Sequence, residues 1–161
     1  MKIILIIIIL LCFSYIGYKY KNKLFSEVEF LRYLYNFHQY YSSNINLFKN
    51  NVVEIIDNFI IMQKNKNAIY NKIFLKNGNI YSFDKDFIKI YIKEECNQDI
   101  ILSFLNNLGK SEYEFEQKQI LTIEKFLKFK IDESLNIYNN KGNLYFKLLL
   151  AMGAVVAIII W

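Results

Sequence analysis

Both ends of this sequence are apolar and uncharged, and the stretch between them is neither. Residues 3–18 read IILIIIILLCFSYIGY, and residues 148–161 read LLLAMGAVVAIIIW. Such runs are buried in a protein core or placed in lipid, where each helix must satisfy its own backbone. The first run lacks the small-residue cleavage site of a secretory leader, because Ser14, Tyr15, Ile16 and Gly17 do not fit one. It is read as a retained transmembrane anchor over residues 1–20, with Tyr15, Tyr18 and Tyr20 at the interface. The last run, residues 144–161 with Lys147 snorkelling, gives about 27 Å of helix against about 30 Å of hydrocarbon. It is expected to span thinly or to insert partway. A buried core helix is the alternative for a run of this length.

Charge sets the orientation. Lys19, Lys21 and Lys23 follow the first run, and Lys141 and Lys147 precede the last. The positive-inside bias therefore places the middle, residues 24–143, on the cytoplasmic side of a cell membrane. The net charge of +5 suits a domain resting near anionic lipid. The Lys residues are scattered among Glu, Asp and Asn rather than gathered on one stripe, which argues against a nucleic-acid partner. Ile, Lys, Asn, Tyr and Phe dominate and Pro is absent, which reads as a low-GC composition and favours uninterrupted helices.

The middle is patterned as an all-α helical bundle of about five or six helices, enough for one domain. Ser26-Glu27-Val28-Glu29 reads as a capping box. Leu24, Val28, Leu31, Tyr35 and His38 form one apolar helix face, and Phe30, Leu34, Phe37 and Tyr41 form a second. Residues 52–62 make the next helix, started by Asn51 and Glu54, and residues 68–75 a short helical piece. Lys76-Asn77-Gly78-Asn79 is the clearest turn. Residues 84–93 read as helix, although their Ile-Lys-Tyr alternation also fits a strand. Asn97 is expected to cap a helix ending at Gly109, and Ser111-Glu112-Tyr113-Glu114 to launch the longest one. That helix carries Ile120, Ile123, Leu127, Ile131, Leu135 and Tyr138 on one face and is expected to continue into the last segment.

No constellation of reacting groups stands out, so no enzyme, cofactor or metal is expected. Cys12 and Cys96 are unpaired and read as small apolar fillers. The lone His38 falls on an apolar face and reads as a core histidine. Glu94, Glu95 and Asp99 read as a solvated face, and Glu112, Glu114 and Glu116 as helix-start acids. Tyr33, Tyr40 and Tyr41 are candidates for an interaction surface or for core packing. Gly153 and Ala157 form a small-xxx-small pair that would let another transmembrane helix approach closely, and an oligomer is a possible assembly.

The last third resembles the stage III sporulation protein AB family of endospore-forming bacteria. That family has a Leu-Gly-x-Ser-Asp turn followed by a Gln and a long helix; here the turn is Leu108-Gly109-Lys110-Ser111-Glu112, with Gln117 after it. A Lys-Gly-x-x-Tyr stretch follows as Lys141, Gly142 and Tyr145, then Leu148 and Gly153. Glu112 replaces an Asp, Gln117 comes one residue late, and Leu149 stands where the family has a first Gly. Residues 44–81 match weakly. The resemblance implies a domain similar to the helical F domain (GspF-like) of type II secretion and type IV pilus platform proteins. It also implies a non-enzymatic scaffold in the mother-cell membrane, within the SpoIIIA–SpoIIQ secretion-like channel to the forespore. Its partners would be the lipid bilayer, other channel proteins and a secretion-type ATPase. The alternatives are a holin-like or stress-related membrane protein, or a platform-like protein outside sporulation.

Overall fold

With no Pro to interrupt it, the first helix runs unbroken: α1 spans Lys2–Phe48, 47 residues. The computed structural model describes residues 2–48, 51–64, 68–78, 80–110 and 113–160. Asn79 of the expected turn, Ser111 and Glu112 of the second capping box, and Trp161 lie outside the described residues. After α1 come α2 (Val52–Gln63), a 3-10 turn (Tyr70–Ile73), β1 (Phe74–Asn77), β2 (Ile80–Phe83), α3 (Lys85–Tyr91), α4 (Glu95–Asn106), α5 (Tyr113–Ile137), a π-helical turn (Tyr138–Gly142) and α6 (Asn143–Ile160). The all-α reading holds, with one small hairpin added.

Several local expectations change. Ser26 does not begin a helix. It lies inside α1, and its hydroxyl donates to the Lys23 carbonyl at 2.8 Å, the back-bond typical of a mid-helix Ser. Residues 68–75 are not a helix. They form a 3-10 turn and then strand β1, which pairs antiparallel with β2, Phe74 opposite Phe83 and Asn77 opposite Ile80. Gly78, at φ 63°, supplies the left-handed residue at the hairpin tip. Asn97 is not the cap of α4 either. Glu94 occupies that position, and the Asn97 amide donates to its carboxylate. Asn51 does cap α2, its side chain accepting from the Val53 N–H at 3.2 Å.

By packing, the chain divides into a terminal unit, residues 1–28 with 131–161, and a central unit, residues 29–130. The core of the central unit is strongly aromatic. Phe37 meets Phe59 of α2 at 5.2 Å between centroids and Phe74 of β1 at 5.0 Å. Phe30 stacks on Tyr91 of α3 at 4.7 Å. Each such pair adds about 1 kcal/mol beyond the area it buries. Tyr33 and Tyr41 are fully buried here, so they pack the core and present no interaction surface. The hairpin is tied to α2 by Asp57, which accepts from the Lys76 ammonium at 2.7 Å and from the Tyr81 hydroxyl at 2.5 Å. Those two donors hold the Asp57 carboxyl below its ordinary pKa.

Gly109 closes α4 at φ 67°, as its position predicts. A Cβ there would lie 2.3 Å from Cγ2 of Val52, whereas a Cβ on Gly78 would meet nothing within 4 Å. Both positions carry the left-handed penalty, and Gly109 adds a collision with a residue at the start of α2. Gly109→Ala is therefore expected to destabilise the detergent-solubilised chain by roughly 2–4 kcal/mol, against about 1 kcal/mol for Gly78→Ala. Denaturant unfolding of the two variants checks this, and equal losses would remove the role given to the Val52 contact.

Candidate functional site

The terminal unit is an antiparallel pair made by the start of α1 and the segment through α6. Small residues let the helices close on one another. A Cβ on Gly153 would sit 3.1 Å from Cβ of Phe13, and one on Gly17 would sit 2.9 Å from the Phe146 ring. Gly17, Gly142, Gly153 and Ala157 are all buried. Further along, Tyr20 packs on Tyr145 and Phe25 on Tyr138, at 5.0 and 5.2 Å between centroids. The Ser134 hydroxyl donates to Glu27 at 3.2 Å. The helix that comes close to Gly153 is thus α1 of the same chain, through Phe13.

The outward faces of this pair are apolar as well. Ile4, Leu11, Ile158 and Ile159 are more than 60% exposed. Two helical stretches, Ile3–Ile45 and Phe115–Ile159, are long and apolar enough to cross a membrane. Only 6% and 17% of their most apolar windows are buried, whereas a soluble core helix would be mostly buried. Cys12 is exposed on this surface.

In the central unit, the Leu108–Gly109 turn is held by a carboxylate near the start of α5. Glu116 accepts from the Gly109 N–H at 3.0 Å and from the buried Tyr41 hydroxyl. Burial, and then that carboxylate, push the Tyr41 pKa up. Leu108 is buried beside this turn, and Gln117 follows Glu116 on α5. A Glu seven residues beyond a helix-ending Gly was the available signal, but a cap reached across a turn has no fixed spacing.

An open groove of about 870 Å³ lies between α4 and α5, with Ile100, Phe104, Phe115 and Ile123 in its wall and Asp99 and Lys118 at its edge. Cys96 borders it and is exposed, so it is not a packed filler. Glu94, Glu95 and Asp99 are exposed, as a solvated face requires. Glu94 accepts from the Lys130 ammonium at 3.2 Å.

His38 is fully buried. Its Nε2 lies 2.8 Å from the Ile120 carbonyl, to which it donates, and its Nδ1 has no hydrogen-bond partner. Burial pulls its pKa below the ordinary value. The Ile120 carbonyl and nearby Glu124 oppose the shift, and Lys128 adds to it.

A family model described as stage III sporulation protein AB matches residues 81–161. The chain belongs to that family. The match begins in β2 and takes in α4, the Gly109 turn, α5 and α6. No curated protein and no solved structure gives a significant match to the chain.

His38 is the sole histidine of the sequence, which makes its titration separable. Because its folded pKa is depressed, the unfolded chain binds the extra proton first as pH falls below about 6.5. Stability is expected to be full above that pH and to decline from there down to the folded pKa. A His38→Leu variant should lack this decline. Thermal unfolding of both chains in detergent between neutral and mildly acidic pH checks it, and identical profiles would contradict the burial of a neutral imidazole.

Proposed function

We propose that this chain is a non-enzymatic, membrane-tied scaffold of the sporulation-specific secretion-like channel between mother cell and forespore. The observation that carries the reading is the family match over residues 81–161, in a chain whose apolar ends pair with one another. Membership ties the chain to sporulation. The paired helices supply an anchor with two crossings, and the central unit is the part left to meet soluble partners. Its general-base candidate supports a role without catalysis, since His38 is sealed in the core with Nε2 given to a backbone carbonyl. The motif residues Leu108, Gly109 and Gln117 then serve the shape of the α4–α5 turn. In this reading Gly142, Tyr145, Gly153 and Ala157 serve the closeness of the membrane pair.

The location follows from charge. Lys19, Lys21, Lys23, Lys141 and Lys147 all flank the apolar runs on the side of the central unit in sequence, which supports a cytoplasmic central unit in the mother-cell membrane. The partners proposed are other proteins of the channel and a secretion-type ATPase.

Deleting the gene in its spore-forming host is expected to block sporulation after engulfment. A complementing copy with a reporter inserted after Gly78 should report a cytoplasmic position. Normal spore yield from the deletion strain would overturn the channel role, and an extracytoplasmic reporter would overturn the orientation.

A further inference from the structure

The apolar pair carries a collar of cations that form no ion pair among the described residues. Lys19, Lys21 and Lys23 stand on α1, Lys141 in the π-helical turn and Lys147 on α6. Antiparallel pairing gathers them into one zone. Tyr20 packs on Tyr145, the Lys21 ammonium lies 5.3 Å from the centre of the Tyr138 ring, and a Cβ on Gly142 would lie 3.6 Å from the Lys21 stem. Lys19, Lys23, Lys141 and Lys147 are exposed, and Lys21 is half-buried. No Asp or Glu occurs in residues 3–26 or 134–160. The acids of this unit, Glu27, Asp132 and Glu133, follow together beyond the collar, and Glu27 is engaged by Ser134. Among the described residues, none of the five lysines takes part in an ion pair.

Gathered like charges repel, and an anion from outside the chain relieves the repulsion. The collar borders the apolar runs, at the depth where a bilayer holding those runs places its phosphodiesters. Tyr18, Tyr20 and Tyr145 are exposed in the same zone, as interfacial aromatics are. The geometry points to this collar as a binding site for anionic phospholipid headgroups at the surface of the bilayer. The inference rests on the reading of the terminal unit as a membrane pair. A lysine near an anionic surface strengthens attachment by about fivefold.

The test uses the full chain in nanodiscs of equal parts phosphatidylcholine and phosphatidylglycerol. The lipids retained through mild delipidation are identified by mass spectrometry. The wild-type chain should retain phosphatidylglycerol over phosphatidylcholine by about fivefold or more. Replacing all five lysines with Gln should abolish the preference, and replacing them with Arg should keep it. Excess inorganic phosphate should leave the preference in place. A Gln variant that keeps the preference, or a wild-type preference erased by inorganic phosphate, overturns the collar as a lipid site. A chain that enters the nanodisc without any preference overturns the collar alone. A chain that does not enter overturns the membrane pair beneath it.

Discussion

Apolar surface on more than one side of helix α1 is the constraint from which the rest of the structure follows. Between Phe30 and Tyr41, residues Phe30, Leu31, Tyr33, Leu34, Phe37, His38 and Tyr41 are all buried. No single neighbour can cover that much of a helix. The central unit answers with three sets of contacts. The rings of α2 and β1 meet Phe37, α3 meets Phe30, and Phe104 of α4 with the Ile120 carbonyl of α5 meets His38. Among the described residues of the terminal unit, α1 packs against the α6 segment, and its other faces stay apolar and open. The same helix is thus covered by protein over one stretch and leaves apolar faces exposed over the other.

Two polar arrangements in the central unit tie buried tyrosine rings to partners at the edge of the core. The Tyr41 hydroxyl and the Gly109 N–H share the Glu116 carboxylate, so a core aromatic, a left-handed turn and the first turns of α5 depend on one side chain. The Tyr33 hydroxyl, on a ring deep in the core, donates to Asn71 at 2.6 Å. These partners explain how tyrosines occupy positions that Phe would otherwise fill. They also give the Leu108–Gly109 turn a physical meaning. Leu-Gly ends one helix in a conformation that only Gly enters freely, and a carboxylate on the next helix satisfies the N–H so exposed.

Much of this was legible in the residues. The Asn51 cap, the Gly109 stop, the two apolar faces of α1 and the run from α5 into α6 each rest on a rule local to a helix, and local rules transfer. The hairpin was hidden because Phe74–Asn77 and Ile80–Phe83 are each four residues, too short to show a period of two. Ser26 and Asn97 were misread because a cap residue says nothing when the flanking backbone is already helical. Tyr33 and Tyr41 could not be separated from surface aromatics, since their acceptors, Asn71 and Glu116, lie far away in sequence. Cys96 looked like a filler by type, yet it borders an open groove.

The central claim is that the two apolar ends pair with each other within one chain in a bilayer. Phe13 and Gly153 offer the direct measurement, because the built Cβ of Gly153 lies 3.1 Å from Cβ of Phe13, near the spacing a disulfide requires. In a Cys12→Ser, Cys96→Ser background, Phe13→Cys with Gly153→Cys should oxidise in membranes to an intrachain disulfide, seen as a faster-migrating monomer. Disulfide-linked dimers alone, or no bond under oxidation, would contradict the account.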